Sequence, residues 1–384
     1  MAVITCIEDL RVLAKRRVPR MFYDYADTGS WTESTYRANE ADFQSIKLRQ
    51  RVAVNIDQRS VAAKMIGVDV AMPVAIAPVG STGMQHADGE ILVARAAQKF
   101  GIPFTLSTMS ICSIEDVAEA VKSPFWFQLY VMRDRGFTER LIDRAKAAGC
   151  GALVLTLDLQ ILGQRHKDLK NGLSIPPKPT IANLINLATK IPWCLEMLGT
   201  KRRAFRNIVG HVEGVHDMSS LTEWTHRQFD PRLNWDDVEW IKKRWGGKLI
   251  LKGIQDVEDA KIAVSTGAAA LIVSNHGGRQ LDGAESSIRA LPAVVDAVGS
   301  KIEVHMDGGI RSGQDVLKAW ALGARGTYIG RAMVYALGAM GEAGMTKALE
   351  IIRNELDLTM AFCGKTRLAD VGPDVILPGT APSR

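Results

Sequence analysis

Short apolar runs recur along the chain from about residue 70, and each ends in a polar or glycine residue that precedes a stretch with helical spacing. Aliphatic and β-branched residues dominate the runs, as is typical of strands buried on both faces of a parallel sheet. The eight runs are 73–78, 103–107, 125–130, 152–158, 249–252, 271–274, 302–307 and 326–331. Eight strands in series with helices predict an α/β fold, a closed (β/α)8 TIM barrel.

Stretches with helical periodicity separate most of these runs and set the expected domain limits. They are 90–100, 114–121, 138–148, 256–265, 290–298 and 313–322. Residues 5–45 also have helical character and predict an N-terminal helical extension. We therefore expect a single domain over residues 1–384, with the barrel at about 70–360 and a long insert after the fourth strand at about 171–230.

Polar side chains gather where the predicted strands end. Going from the third strand to the eighth, they are Gln128, Tyr130, Thr156, Asp158, Lys252, Ser274, His276, Asp307 and Arg331. The carboxyl ends of the strands form the face on which barrels carry out chemistry. A lysine buried there is costly unless an anion meets it, so this face is the predicted functional site.

The stretch 274–282 brings a histidine and an arginine to the end of the sixth predicted strand. His276 can take a proton near neutral pH, and Arg279 offers a planar fork that matches a carboxylate. Gly277 and Gly278 let the backbone approach a ligand closely. Taken alone, the stretch also fits an ordinary polar loop; its place among the other polar strand ends favours a site.

Glycines and arginines follow the last two predicted strands, at 307–313 and at Gly330-Arg331. Barrels often hold a phosphate group between these two loops. Arg311 and Arg331 would add positive charge to such a site. Two ordinary glycine turns are the alternative, but both position and charge favour a phosphate.

The predicted insert combines an apolar helix with clustered bases. Ile181, Leu184 and Ile185 fall at helical spacing, and Pro192 is expected to end that helix. A basic cluster follows at 201–206. Residues 181–206 therefore suit an anionic membrane surface, and they suit equally well a lid or a subunit contact with a solvated basic edge.

Composition narrows the possible classes only slightly. The chain has 384 residues, a formal net charge of +6 and five cysteines in no close pair, which favours a reduced, cytoplasmic protein. The N-terminus lacks the pattern of a secretory signal, and no apolar run is long enough to span a bilayer. No nucleic-acid-binding module is recognisable, and we predict no metal site.

With these residues in view, 274–282 resembles the active-site signature of the FMN-dependent α-hydroxy-acid dehydrogenases and oxidases. The likeness extends from Tyr23 to Met360 and is weakest across 176–220. It implies FMN as the cofactor and oxidation of an L-2-hydroxy acid to the 2-oxo acid. It also implies a homotetramer.

The resemblance assigns roles to individual residues. It implies that His276 is the catalytic base, that Asp158 pairs with it, and that Tyr130 and Arg279 take part in catalysis. The implied substrate-binding residues are Tyr25, Met109, Tyr130, Leu162, Arg165 and Arg279. The implied FMN-binding residues are Val79, Gly80, Ser107, Gln128, Thr156, Lys252, Ser274, Asp307, Gly309, Arg311, Gly330 and Arg331.

Two positions bear on the subtype. Met109 and its neighbours are similar to the bacterial L-lactate dehydrogenases, and Gly80 is similar to the glycine of the membrane-associated dehydrogenases, although Gln160-Ile161 departs from the family pattern. The resemblance thus favours an L-lactate dehydrogenase that passes electrons to a membrane quinone, in the cytoplasm and peripheral on the inner face of the cell membrane. The alternatives are a soluble oxidase that produces hydrogen peroxide, a non-catalytic membrane-associated binding barrel, and a phosphate-ligand barrel without flavin.

Overall fold

Eight parallel strands form a barrel in the order in which they occur along the chain. The computed structural model describes residues 3–382 except 174–179, 216–219, 221–223 and 225–226. Each barrel strand pairs with the next, and the last pairs with the first. The backbone N–H of Ile76, which donates to Pro103 O at 2.9 Å, joins the first strand to the second. The predicted TIM barrel is confirmed.

The barrel strands coincide closely with the predicted apolar runs. A hairpin of β1 (Ala63–Met65) and β2 (Val68–Val70) precedes them. The barrel consists of β3 (Val74–Ile76), β4 (Thr105–Ser107), β5 (Trp126–Leu129), β6 (Ala152–Thr156), β7 (Leu249–Ile254), β8 (Ala270–Val273), β9 (Glu303–Asp307) and β10 (Gly326–Ile329).

Helices lie before the barrel, between its strands and after it. The N-terminal extension contains α1 (Ile7–Arg17), α2 (Arg20–Ala26) and α3 (Ser34–Ser45). The next described helices are α4 (Gly89–Phe100), α5 (Ile114–Ala120), α6 (Arg135–Ala147), α7 (His166–Lys170), α8 (Ile181–Ala188), α9 (Ile191–Gly199) and α10 (Trp235–Trp245). The last are α11 (Val257–Ser265), α12 (Ser287–Val298), α13 (Gly313–Ala321) and α14 (Arg331–Phe362), which is kinked at Met340 and Gly341.

Pro192 has a different position from the one expected. The first insert helix, α8, already ends at Ala188, and Pro192 lies in the first turn of α9. A proline is tolerated there because the first helical N–H groups have no partner within the helix. Pro192 therefore starts the second insert helix rather than ending the first.

Alternation along the strands explains why polar side chains collect at one end of the barrel. Interior residues such as Val154, Ile250 and Ile272 belong to one buried cluster, and their strand neighbours pack outward against the helices. Successive side chains point to opposite faces, so the residue two positions further along also points inward. The corresponding interior residues at the carboxyl ends are Thr156, Lys252 and Ser274.

The hairpin closes the amino-terminal end of the barrel. Met65, Ile66 and Val70 pack with Trp126 and other interior residues in the same buried cluster. The backbone N–H of Ile66 also donates to the Glu303 carboxylate on β9 at 2.8 Å. The two ends of the barrel therefore differ, one filled by apolar side chains and the other lined by polar ones.

Truncating Met65 tests the hairpin as a closure of the barrel. Met65 is fully buried, so Met65→Ala removes apolar contacts and leaves a cavity. We expect a loss of about 2–5 kcal/mol in the free energy of unfolding, measured by urea denaturation. Val68→Ala on the same hairpin is the control, since Val68 is 43% exposed. Equal losses in the two variants would contradict the role given to Met65.

Candidate active site

A histidine–carboxylate pair lies just beyond strands β6 and β8. The Nδ1 atom of His276 is 2.8 Å from Oδ1 of Asp158. Burial works to raise the pKa of Asp158, but the nearby His276 and Lys252 hold it below its ordinary value. The carboxylate therefore stays charged and accepts the proton of Nδ1, which leaves Nε2 as the basic nitrogen of the ring.

The loop that carries His276 has a left-handed backbone. His276 itself has φ +56°, and its N–H donates to Oγ of Ser274 at 3.1 Å. Gly278 has φ +70°, and a Cβ there would lie 2.5 Å from the backbone nitrogen of Tyr36. Only glycine permits this approach, by which the loop after β8 contacts the N-terminal extension.

Two arginines surround the ring of Tyr25. The guanidinium carbons of Arg165 and Arg279 lie 5.7 Å and 4.8 Å from the ring centroid. Nη1 of Arg279 donates to the carbonyl oxygen of Tyr25 at 2.6 Å, and Nε of Arg165 donates to Asp168 at 2.6 Å. Burial and the charge of Arg165 lower the pKa of Arg279 to about 10. An anion between the two guanidinium groups would relieve this repulsion.

Tyr130 adds a hydroxyl donor at the end of β5. Burial, with the charge of Asp158, raises the pKa of Tyr130 well above its ordinary value. The phenol therefore stays protonated at neutral pH. Its ring packs edge-on against Phe229, with centroids 5.6 Å apart.

Lys252 is a buried ammonium between two polar partners. Its Nζ lies 3.0 Å from Asp307 and donates to Oγ of Ser274 at 2.8 Å. Burial works to lower the pKa of Lys252, but Asp307 and Asp158 raise it above its ordinary value. Lys252 is therefore a fixed positive charge at the carboxyl end of β7.

A chain of hydrogen bonds crosses three neighbouring strands beside this lysine. The amide of Gln128 donates to Oγ1 of Thr156 at 3.0 Å and accepts from Oγ of Ser107 at 3.1 Å. The same Ser107 hydroxyl accepts the N–H of Met109 at 3.1 Å. These side chains are buried, so they form a preorganised polar row across β4, β5 and β6.

The glycine-bearing loops after β9 and β10 contribute further residues to the carboxyl end of the barrel. Gly309 has φ +83°, and a Cβ there would lie 1.9 Å from the carbonyl oxygen of Asn39. Arg311 donates to Glu40 at 2.7 Å, and Arg331 donates to Thr28 O at 2.7 Å. By contrast, a Cβ at Gly330 would make only ordinary contacts, so that glycine is not required by packing.

One cavity of about 360 Å³ joins these groups. Most of the sequence-predicted site residues line it: Tyr25, Val79, Gly80, Met109, Tyr130, Leu162, Arg165, Lys252, His276, Arg279, Asp307, Gly309, Arg311, Gly330 and Arg331. The exceptions are Ser107, Gln128, Thr156, Asp158 and Ser274, which hydrogen-bond to lining residues or to one another.

The cavity also has lining residues that the sequence did not point to. Phe205 and Phe229 come from the insert, far in sequence from the other lining residues, and no local spacing predicts that they line the cavity. Asp168 follows Arg165 by one helical turn on α7, and that spacing could have predicted the pair. Further unpredicted lining residues are Phe22, Met84, Leu159 and Leu173. Among the described residues, no group of three histidine, cysteine or acidic side chains could hold a metal ion.

The insert helices carry an exposed apolar surface close to this cavity. We define the insert surface as the exposed residues Ile181, Leu184, Ile185, Ile191, Leu195 and Leu198 of α8 and α9. Trp193, on the inner side of α9, stacks on Phe22 with ring centroids 5.4 Å apart. Within the described part of the chain, no helix has both the length and the apolar character needed to cross a bilayer.

The basic cluster beside the insert surface is partly neutralised. Arg202 forms ion pairs with Asp88 and Asp116, and Arg206 forms one with Asp116. Asn207, which is buried, accepts the N–H of Ile114 and donates to Oγ of Ser110. Part of the positive charge of the cluster therefore fastens the insert to α5 and to the start of α4, and Asn207 fastens it to the loop after β4.

Known proteins of one family are similar to this chain over almost its whole length. The model of the FMN-dependent dehydrogenase family matches residues 14–378. The chain belongs to this family. It is 44% identical to an L-lactate dehydrogenase of Caulobacter vibrioides (strain NA1000 / CB15N), over 97% of this chain and 98% of that protein. It is 42% identical to an L-lactate dehydrogenase of Ectopseudomonas mendocina (strain ymp), over 98% and 99%.

A solved structure agrees in fold over the same length. The monotopic membrane protein (S)-mandelate dehydrogenase superposes with a TM-score of 0.93 at 34% identity, covering 98% of this chain and 100% of that chain. This FMN-dependent dehydrogenase is therefore an oxidoreductase, and its cofactor is FMN.

The residues of the cavity fit FMN. Asp307 has one oxygen on Lys252, while its Oδ1 is buried without a hydrogen-bond partner among the described residues. A ligand that donates a hydrogen bond, such as a ribityl hydroxyl, would satisfy that oxygen. Arg311 and Arg331 line the same cavity and supply charge for a phosphate.

Removing the Lys252 ammonium tests its pairing with Asp307. Lys252→Met leaves a buried carboxylate without its counter-charge, so we expect the apoprotein to lose about 3–5 kcal/mol of unfolding free energy in urea denaturation. Adding Asp307→Asn should recover part of the loss. Lys301→Met, at an exposed lysine, is the control. Strictly additive losses in the double variant would show that the two groups do not interact.

Proposed function

We propose that this FMN-dependent dehydrogenase oxidises an L-2-hydroxy acid, L-lactate in the first instance, to the 2-oxo acid. The observation that carries the proposal is that His276, paired with Asp158, lines the same cavity as the arginines Arg165 and Arg279. A base and a carboxylate clamp in one cavity are what a 2-hydroxy acid requires. The two relatives named L-lactate dehydrogenase support this substrate.

The arginines would bind and orient the substrate. Arg279 and Arg165 meet its carboxylate and lose their mutual repulsion in doing so. The protonated phenol of Tyr130 donates to the substrate, and Tyr25, which lines the same cavity, offers a second hydroxyl. Because the arginines and the tyrosines together hold it, the acid presents its hydroxyl-bearing carbon in a fixed orientation.

His276 would move the proton. Its Nε2 accepts a proton from the bound acid while Nδ1–H remains on Asp158. The charged imidazolium that results lies against a carboxylate that is already ionised, so charge separation is small. Oxidation to the 2-oxo acid removes two electrons and two protons from the substrate: His276 takes one proton, and FMN, when bound, would accept the electron pair and the other proton.

The polar strand ends would hold FMN. Lys252 would supply positive charge that stabilises the reduced ring, and the unpartnered oxygen of Asp307 would accept a hydrogen bond from a hydroxyl of the cofactor. Arg311 and Arg331 hold the phosphate. The remaining proposed contacts are Val79, Gly80, Ser107, Gln128, Thr156, Ser274, Gly309 and Gly330.

Apolar side chains would contact the substituent of the acid. Met109 and Leu162 line the cavity together with Phe229. A Cβ at Gly80 would come 3.1 Å from Cβ of Met109 and 3.8 Å from the hydroxyl of Tyr25. Glycine at position 80 therefore leaves open the space beside Met109 and the hydroxyl of Tyr25, two of the proposed substrate-binding residues.

We further propose that the electrons pass to a membrane quinone. The insert surface is apolar, exposed and next to residues that line the cavity, which suits a peripheral contact with the inner face of the cell membrane. The monotopic (S)-mandelate dehydrogenase supports a membrane contact in this fold. By resemblance we also propose a homotetramer, and the mass of the protein in solution tests it.

Anaerobic titration of the purified flavoprotein tests the proposed chemistry. L-Lactate should bleach the visible flavin band of the wild type. His276→Gln should keep its yellow colour and lose about 100- to 10,000-fold in the bleaching rate, because the base is absent. His211→Gln, at an exposed histidine of the insert, is the control. A His276→Gln variant that bleaches at the wild-type rate would remove His276 from this role.

The same reduced sample decides the acceptor. A quinone analogue should restore the flavin band faster than oxygen does, and little peroxide should form. Rapid reoxidation by oxygen with stoichiometric peroxide would instead favour the oxidase alternative. A flavoprotein that no 2-hydroxy acid bleaches would favour the non-catalytic barrel.

Charged substitutions test the membrane contact. Leu184 and Leu195 are 56% and 64% exposed, so replacing both by Glu should leave the fold intact. Burial of each leucine in lipid is worth about 1.5–3 kcal/mol, and co-sedimentation with anionic vesicles should therefore fall at least about tenfold. Val52→Glu, at another exposed apolar residue, is the control. Unchanged sedimentation would favour the lid or subunit contact.

A further inference from the structure

A buried carboxylate outside the cavity organises part of its wall. Asp27, at the end of α2, is 6% exposed. It accepts hydrogen bonds from the hydroxyls of Tyr23 (2.9 Å), Tyr36 (2.8 Å) and Tyr335 (2.6 Å), and from Arg11 (3.1 Å). Burial opposes its charge, but the hydroxyls of Tyr335 and Tyr36, with Arg11, hold the pKa of Asp27 well below its ordinary value. The group is thus a permanent anion that fixes three phenol rings.

Two of these rings lie beneath the arginines at the phosphate end of the cavity. The guanidinium carbon of Arg331 is 4.3 Å from the ring centroid of Tyr36. That of Arg311 is 5.7 Å from the ring centroid of Tyr335. Since Asp27 holds both phenol hydroxyls, it determines where the two ring faces lie, and each face supports a cation.

The backbone around Asp27 contacts two arginines that line the cavity. Arg331 donates from Nε to the carbonyl oxygen of Ala26 at 2.9 Å, and from Nη2 to that of Thr28 at 2.7 Å. Arg279 donates from Nη1 to the carbonyl oxygens of Tyr25 at 2.6 Å and Thr28 at 3.3 Å. One segment of four residues therefore holds a guanidinium group of the proposed phosphate site and one of the proposed substrate clamp.

We propose that Asp27 is a positioning residue that couples the phosphate end of the FMN site to the substrate-carboxylate clamp. Asp27 touches neither ligand; it acts through the rings of Tyr36 and Tyr335 and through the carbonyl groups of residues 25–28. The proposal rests on the function proposed above, which puts the phosphate at Arg311 and Arg331 and the substrate carboxylate at Arg279. It adds that the two binding events depend on one shared anchor.

Asp27→Asn tests this anchor, because asparagine keeps the size and removes the charge. The first readout is the ratio of dissociation constants for riboflavin and FMN, which differ only in the phosphate, measured by flavin fluorescence. We expect FMN affinity to fall about tenfold with riboflavin affinity nearly unchanged. The second readout is the affinity for pyruvate at saturating FMN, followed by perturbation of the flavin spectrum. We expect it to fall several-fold.

A general loss of structure would weaken riboflavin and FMN alike, so the ratio separates positioning from folding. The proposal is overturned if either the ratio or the pyruvate affinity stays at the wild-type value. A wild-type protein that binds riboflavin as tightly as FMN would contradict the proposed phosphate site itself, and the coupling with it.

Single-hydroxyl variants keep the test decisive if Asp27→Asn does not fold. Tyr36→Phe removes one donor to Asp27 and frees the ring beneath Arg331, so the preference for FMN over riboflavin should fall. Tyr23→Phe is the matched control, since it removes one donor to the same carboxylate and leaves the rings of Tyr36 and Tyr335 tethered. Equal falls in the two variants, or none in Tyr36→Phe, would overturn the assignment.

Discussion

The groups around the carboxyl end of the barrel must compensate the positive charge that is buried there. Arg165, Lys252, Arg279 and Arg331 line one cavity, and Asp307 and Asp168 offset only Lys252 and Arg165 directly. Charges removed from water destabilise a protein unless opposite charges or hydrogen bonds compensate them. The backbone carbonyls of the N-terminal extension supply part of that compensation, and anionic ligands are suited to supply the rest. The same buried positive charges therefore affect both the stability of the fold and its affinity for anionic ligands.

The architecture and much of the candidate site could be predicted from local sequence, because both follow from apolar runs that end in polar residues. A strand buried on both faces is recognisable as an apolar run, and the polar residues that end the run mark the carboxyl end of the barrel, where the site is expected. Thr156, Lys252 and Ser274 were predicted at this end of the barrel because they end such runs. Lys252 lines the cavity, Thr156 and Ser274 hydrogen-bond to Gln128 and Lys252, and the barrel itself is confirmed. Their assignment to flavin, by contrast, came from the resemblance of the signature at 274–282.

The remaining wall residues depend on contacts between distant parts of the chain. Phe205 reaches the cavity because Asn207 fastens the insert beyond β4, and Phe229 reaches it because its backbone pairs with Met132 beyond β5. Asp27 is one acidic residue among many until three tyrosines from separate helices converge on it. The ion pairs of Arg202 and Arg206 could not be predicted either, since their carboxylate partners Asp88 and Asp116 lie far away in sequence.

The left-handed backbone of His276 has an evolutionary consequence. A residue with a Cβ at φ +56° is less stable there by about 1–2 kcal/mol than glycine would be, so the fold alone would select glycine at this position. Fold stability therefore does not favour a histidine at this position, whereas selection for the proposed role of its imidazole would. If that selection is relaxed, we expect His276 to be replaced early. Its loss in a descendant sequence would indicate a barrel that has kept its fold and lost the proposed reaction.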